Sequence, residues 1–370
     1  MIRKADVSLV CRGMDGGIGT YTLNMYKGLS KKGYRVHLVC LERDLQYLEN
    51  RLPESDILIT SSPDYRKGVS CMGRYLEAAQ PKVLITPQLR PTIIALRARA
   101  AFNPGTRIYP VIHSTYSEEF RHLPVSKRFF RLLRLRYHYK KCDGIIAVSA
   151  GAAGDFTRMT GISESAVSVV YNPVNTSEIL SRAAQPLHHP WFNNGQPPVV
   201  LGIGRLVWEK NFQMLIEAFE IVRSRIASRL MILGDGPHRQ KLERRIQASP
   251  FSGDISMPGR VPNPYQFIRR SALLTLSSNY EGLPTVLIEA LASGTPVVST
   301  DCPNGPREIL KDGKYGQIVS VNKPEKLADA MIQTLGSPLS SKVLKKRALN
   351  FDIDSSVANY LRLFGLTDGS

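Results

Sequence analysis

Short β-branched runs alternate with stretches of helical periodicity along almost the whole chain, and the rhythm restarts once near its middle. Parallel strands need a long crossover between them, and a helix is the usual one, so this alternation demands parallel sheets covered by helices. Strands are expected at 5–11, 35–40, 57–60, 82–87, 107–113, 143–149 and 167–173 in the first half. In the second half they are expected at 198–204, 229–234, 254–257, 272–278, 295–300 and 316–321. Between the halves lies AAQPLHHPWFNNGQPP, rich in Pro, Asn and Gly and without periodicity, which reads as a linker over 183–198. The expected architecture is α/β with two Rossmann-like, doubly wound domains: 1–182, then 199–350, with a C-terminal segment 351–370 ending in an amphipathic helix. Ligands of such sheets bind at the carboxyl ends of the strands, and with two domains the natural place is a cleft between them.

Composition bounds the possibilities. At 370 residues the chain is long for one core and suits two. Five cysteines, an odd number and widely separated, give no C-x-x-C pair, which argues for a reducing compartment and against a disulfide frame or zinc site. The start MIRKADVSLVC is too poor in apolar residues for a signal peptide, and no run approaches the ~20 apolar residues that span a bilayer. The protein is therefore expected in the cytoplasm, free or resting on the inner face of the membrane. Its formal charge is +18, with 27 Lys+Arg against 15 Asp+Glu in residues 1–187 and 22 against 16 thereafter. Such a field attracts polyanions: nucleic acid, anionic lipid or phosphorylated substrates.

The stretch SNYEGLPTVLIEALASGTPVVST (278–300) carries the sharpest chemistry. A buried strand leads to a turn, Pro284 is suited to the first helical position, and Gly294 ends the helix. Unpaired N–H groups from Leu283, Pro284, Thr285 and Val286 onward (Pro284 excepted, having none) would face an anion. Glu281 precedes the turn and Glu289 lies one turn inside the helix, roughly 8–12 Å away at ~1.5 Å rise per residue. That spacing suits a nucleotide-sugar, one acid at the sugar and the other at the ribose. The plainer alternative makes Glu281 a solvated loop residue and Glu289 part of a polar face.

Other loops join it. Arg205 and Lys210 follow the strand expected at 198–204, with Asn211 as N-cap of a helix over 212–225. Two cations there can neutralise a departing diphosphate, or can simply be solvated. The loop Gly16-Gly17-Ile18-Gly19 follows the first strand and precedes a helix expected over 21–31, allowing close backbone approach to a ligand or only a tight turn. It is neither G-x-G-x-x-G nor a Walker loop, which weakens NAD and ATP readings. His113 closes its strand at the carboxyl end, where it could bond a sugar hydroxyl, steady a charged transition state, or be structural. Glu118 and Glu119 read as helix-start acids. Asp352 and Asp354 have D-x-D spacing but suit N-capping better than a metal.

Residues 120–142 hold eight Lys+Arg and no acid. At helical spacing Lys127, Arg131, Arg134, His138 and Lys141 share one stripe, and Phe130, Leu133 and Tyr137 another. Two readings stand: a surface binding anionic lipid, or a domain helix whose apolar face packs inward and leaves a solvated basic face.

Together these segments resemble glycosyltransferase family 4, the retaining enzymes of the GT-B fold. The resemblance runs through the glycine loop, DGIIAVSAGAAGDF, VVYNPV, GIGRLVWEKNFQMLIEAF, MILGDGP, MPGRVPNPYQFIRRS and the E-x7-E element; DCPNGPREIL looks like members that build bacterial surface glycans. It implies that Arg205 and Lys210 contact the donor diphosphate, Glu281 the donor sugar, Glu289 the ribose, and the Leu283–Val286 backbone a phosphate. Arg260 and Val261 would face the base, while Gly17 and Gly19 close over the donor. His113 matches the family's histidine near the transferred sugar, although Ser114 follows it where many relatives carry an acid. The family uses no metal or other cofactor, and its C-terminal helix crosses back onto the first domain. The reaction implied is retaining transfer of a hexose or N-acetylhexosamine from a UDP-sugar to a growing glycan, lipid-linked or part of a lipopolysaccharide core. Acceptor binding would fall to the first domain, with Lys127, Arg131, Arg134 and Lys141 on its acceptor or membrane surface. A UDP-N-acetylhexosamine epimerase of related fold is one alternative. A non-catalytic nucleic-acid binder is another, although the aromatics form no stacking motif and nucleic acid is not the expected partner.

Overall fold

The computed structural model describes residues 2–14, 16–41, 53, 56–59, 65–102 and 105–366. Asp15 of the glycine-rich loop, Thr60 at the end of one expected strand and the last residues 367–370 lie outside them. Two compact units form: Met1–Pro173 with Ile353–Ser370, and Val174–Asp352.

The first unit runs β1 (Val7–Cys11), α1 (Gly16–Lys31), β2 (Val36–Cys40), β3 (Ile57–Ile59), α2 (Tyr65–Ala79), β4 (Val83–Thr86), α3 (Leu89–Phe102), β5 (Arg107–Ile112), α4 (Tyr116–Glu119), α5 (Val125–Tyr139), β6 (Ile145–Ala147), α6 (Ala150–Thr160) and β7 (Val167–Val169). The second runs α7 (Thr176–Ala183), β8 (Val199–Ile203), α8 (Phe212–Arg225), β9 (Arg229–Leu233), α9 (Arg239–Gln247), β10 (Ile255–Gly259), α10 (Pro264–Arg270), β11 (Leu273–Leu276), α11 (Thr285–Ser293), β12 (Val297–Thr300), α12 (Pro306–Leu310), β13 (Gln317–Val319), α13 (Pro324–Gly336) and α14 (Ser341–Ala348). The chain then returns to the first unit as α15 (Ile353–Phe364). Every expected strand is present, most of them trimmed by a residue or more; β10 instead runs two residues further than the sequence suggested.

The sheets are β3-β2-β1-β4-β5-β6-β7 and β10-β9-β8-β11-β12-β13, every ladder parallel. All residues of β1, β2, β4, β11 and β12 are buried, the continuous apolar run that strands covered on both faces require. In both sheets the strand order reverses beside the first strand, between β1 and β4 and between β8 and β11. A doubly wound sheet opens a crevice at that switch point, so the loops leaving β8 and β11 are the natural ligand-binding loops of the second unit.

Three local differences from expectation have physical causes. First, α1 begins at Gly16 instead of Tyr21, so Gly17 and Gly19 belong to its first turn. A Cβ on Gly19 would lie 1.7 Å from the Met14 carbonyl oxygen, so this glycine closes the turn against the chain's own backbone. Second, Pro284 occupies the N-cap of α11, not its first helical position, and α11 ends at Gly294 in a left-handed conformation. Third, α7, assigned by sequence to the first domain, lies in the second unit, where it buries Ile179 and Ala183. Residues 183–198 also fold onto that unit. The Phe192 ring meets Phe267 at 5.7 Å, and Arg229 lies over Trp191 at 5.1 Å. Aromatic packing there overrides the linker-like composition.

Candidate active site

The loop leaving β8 and the loop leaving β11 are stitched together at the switch point. Asn211 caps α8, accepting from the Met214 N–H, as the sequence suggested, and adopts a left-handed conformation. Its side-chain amide donates to Asn279 at 3.0 Å. Asn279 in turn donates its side-chain amide to the Trp208 carbonyl at 2.9 Å and its backbone N–H to the Glu209 carbonyl at 2.7 Å. Ser277 Oγ donates to the Lys210 carbonyl at 2.8 Å.

Within this frame Lys210 Nζ meets Glu281 Oε1 at 2.6 Å, and Ser278 Oγ donates to the same oxygen at 2.6 Å. Only 23% of the Lys210 side chain and 10% of Glu281 is exposed, so the pair is shielded enough for geometry to be fixed before a ligand arrives. Glu281 is therefore no solvated loop residue. Arg205 is exposed on the turn directly after β8; its carbonyl accepts from the Val207 N–H at 2.9 Å, and its guanidinium has no hydrogen-bond or ion-pair partner among the described residues. An unpaired guanidinium on the same loop as a fixed ammonium is a combination that a phosphate group can satisfy.

The start of α11 completes this side. Leu283 and Pro284 are buried, Thr285 and Val286 half-buried, and no side chain caps the helix. Gly305 fits closely over it: a Cβ there would lie 2.4 Å from Pro284 Cδ and 3.1 Å from Leu283 Cα. Glu289 lies one turn inside. Burial pushes its carboxyl up to about 7, against the Thr285 hydroxyl hydrogen bond and the Arg182 charge, which both pull it down. Arg182 also donates to the Pro262 carbonyl at 2.7 Å and stacks over Tyr265 at 5.0 Å. It thus ties Glu289 to the loop after β10 that carries Arg260, exposed, and Val261, half-buried.

In the first unit His113 lies just beyond β5, its ring 4.6 Å from that of Tyr21 in an edge-on contact. Burial pushes the imidazole down to about 3, so it is neutral, and its Nε2 is buried without a hydrogen-bond partner. That environment excludes a cationic role for His113 at a charged transition state and suits a hydrogen bond to a neutral hydroxyl. Tyr21 donates its hydroxyl to Tyr360 of α15 at 3.0 Å. Gly17 is exposed and Gly19 buried at the start of α1. Ser114 Oγ donates to Glu119 at 3.0 Å. Asp352 accepts from Thr176 Oγ1, and Asp354 pairs with Lys31 at 2.8 Å, so both D-x-D carboxylates are engaged elsewhere.

Lys127, Arg131, Arg134 and Lys141 are all exposed along α5 and its end. The apolar stripe beside them is exposed as well, contrary to the reading in which it packs inward. Leu135 and Tyr139 are the buried residues of the helix instead.

Sequence reasoning passed over Ser278, the Thr285 hydroxyl, Arg182 and the Tyr21–Tyr360 pair. Ser278 opened the motif that was singled out, and a small hydroxyl three residues before a buried carboxylate was the available signal. Arg182 gave none, because it sat in a segment assigned to the other domain.

Comparison with known proteins agrees with this architecture. The model for "Glycosyltransferase Family 4" matches residues 15–178, and that for "Glycosyl transferases group 1" matches residues 185–351. An uncharacterized glycosyltransferase of Methanocaldococcus jannaschii is 28% identical over 62% of this chain and 65% of its own length. So is, at 28% over 70% of this chain and 68% of its own, a Campylobacter jejuni 4-alpha-N-acetylgalactosaminyltransferase acting on a diphospho-undecaprenol-linked sugar. The alignments thus leave about a third of each relative uncovered. A Salmonella typhimurium lipopolysaccharide 1,6-galactosyltransferase is 30% identical over 48% of each chain. Among solved structures, the lipopolysaccharide outer core galactosyltransferase WaaB superposes with a TM-score of 0.73 at 20% identity, covering 98% of this chain and 99% of its own. HepE of Anabaena in complex with UDP-glucose gives 0.79 at 16% identity, covering 96% and 99%. Their likeness establishes a shared fold, that of the GT-B glycosyltransferases.

Proposed function

Given that this chain belongs to the family 4 glycosyltransferases, we propose that it moves a hexose or N-acetylhexosamine from a UDP-sugar to a growing cell-surface glycan, with retention at the anomeric carbon. The acceptor in this reading is lipid-linked or a lipopolysaccharide core, and the enzyme works at the inner face of the membrane. The observation that carries it is the shielded Lys210–Glu281–Ser278 cluster at the switch point of the second sheet, with the exposed Arg205 on the same loop as Lys210. UDP-bound HepE and the polyprenol-linked acceptor of the Campylobacter relative support the choice of donor and acceptor.

In this reading the α11 start, Arg205 and Lys210 hold the diphosphate, and Glu289 accepts hydrogen bonds from the ribose hydroxyls. Arg260 and Val261 flank the base, and Glu281 orients the sugar through its hydroxyls. The acceptor oxygen attacks C1 on the face from which the diphosphate departs. The C1–O bond to phosphate breaks, and a phosphate oxygen takes the acceptor's proton. Positioned cations stabilise the leaving charge without a metal, which makes the protein's contribution orientation and electrostatics. Gly17 and Gly19 approach the donor, and neutral His113 hydrogen-bonds a sugar hydroxyl.

Binding of UDP, followed by calorimetry, is expected to weaken at least about tenfold in Arg205→Ala and in Glu289→Ala. Unchanged affinity in both defeats the donor site. Isomerisation of UDP-N-acetylhexosamine without any acceptor would instead identify an epimerase.

A further inference from the structure

Helix α5 is amphipathic inside out. Leu135 and Tyr139 hold it against the unit, while Val125 is 84% exposed, Phe129 56%, Phe130 68%, Leu133 45% and Tyr137 59%. At about 100° per residue, Phe130, Leu133 and Tyr137 project directly away from Leu135 and Tyr139. Lys127, Arg131 and Arg134 form one rim of this crest, and the stretch 120–142 contributes no acid. Exposed apolar groups scattered singly need no explanation, but five within 13 residues on one helix form a patch that water covers at a cost.

We propose that this crest seats the first unit on an anionic bilayer, with Phe130, Leu133 and Tyr137 buried at the headgroup–acyl boundary and the cations on phosphates around them. Long Lys and Arg stems reach past an apolar crest to the headgroup level, and aromatic rings favour that boundary. Charge selects the occupant: a second copy of this chain would bring two acid-free basic rims face to face, whereas anionic lipid complements them. The crest adds insertion to what the cations alone would supply by attraction. This deepens the reading of a lipid-linked acceptor, but its test does not use the transfer reaction.

The full chain is sedimented with phosphatidylcholine vesicles with and without phosphatidylglycerol, at low salt and at about 0.5 M, where the Debye length shrinks to roughly 4 Å. Partition onto anionic vesicles is expected, with a residue that survives salt. Phe130→Ser with Leu133→Ser and Tyr137→Ser should lower partition at least about tenfold and erase the salt-resistant part. Lys127→Glu with Arg131→Glu and Arg134→Glu should abolish the preference for phosphatidylglycerol. Phe130→Trp should be quenched by brominated acyl chains. An unchanged serine variant without quenching, or no vesicle binding by the native chain, overturns the proposal. So does a serine variant that dissociates a dimer without affecting vesicles, which would make the face an interface between copies. The thermal shift produced by UDP serves as the folding control. Its absence in the native chain would count against the donor site and leave the vesicle result standing.

Discussion

The two units share a strand order but hold their chemistry in opposite ways. In the second, two loops are locked by a chain of amides and hydroxyls, and a shielded ion pair is fixed at the switch point. In the first, the loop leaving β1 runs into a glycine-led helix start, and a neutral histidine with a free nitrogen follows β5. Its cations lie on an exposed helix instead. In the proposed reading the diphosphate is met by fixed charges, since preorganisation is what makes them effective. A neutral hydroxyl or a lipid surface needs no such cage.

The largest effect that can break this contrast is at Lys210. Lys210→Met is expected to lower kcat by about 10²–10³-fold, the usual consequence of removing one preorganised charge from a transition state. It also leaves the nearly buried Glu281 carboxylate without its ammonium partner, which should cost about 1–3 kcal/mol of stability. Adding Glu281→Gln should restore most of the stability, read by chemical denaturation, and none of the activity. Restored activity would reduce the pair to scaffold.

This asymmetry also governs what could be read from sequence. The strands were legible because each is a buried β-branched run, and the Glu281–Glu289 element because its turn and its helix stop at Gly294 use unambiguous residues. Two neighbouring stretches differ from the sequence reading. Residues 174–182, assigned to the first domain, belong to the second unit. Residues 183–198, whose Pro, Asn and Gly look like a linker, are packed down through Trp191 and Phe192 against Arg229 and Phe267. With the first stretch went Arg182, which no local pattern tied to Glu289. The outward crest of α5 was ambiguous for a different reason. Periodicity separates a helix's two faces but does not say which one meets the core.

A smaller effect concerns pH. The Glu289 carboxyl titrates at about 7 in the folded protein against an ordinary value of 4.5, so the native state holds the proton more tightly. Its contribution to stability is complete below about 4.5 and is lost as pH rises through about 7. Glu289→Gln should remove that decline. UDP binding should run the other way: two ribose hydroxyls donating to Glu289 need the ionised form, so affinity should rise through pH 7 in the native chain. The difference between native and Glu289→Gln titrations isolates this group from the ionisation of UDP's own phosphate. His113 contributes no such step, since its imidazole stays neutral far below that window. An inflection near 7 that persists in Glu289→Gln would show that the second unit's acid is not the sensor.

The smallest effect tests how the first unit holds its histidine. Tyr21 packs edge-on against His113 and donates to Tyr360, all within a buried aromatic group that α15 closes. Tyr360→Phe strands the Tyr21 hydroxyl and should cost about 1–2 kcal/mol, while Tyr21→Phe with Tyr360→Phe, which removes donor and acceptor together, should cost less than Tyr360→Phe alone. If the pair only fills space, KM and kcat stay at native values in both variants. If it aims the imidazole, Tyr360→Phe lowers kcat several-fold with UDP affinity unchanged, because the proposed diphosphate contacts all belong to the second unit. A parallel loss of UDP affinity would contradict that division of labour.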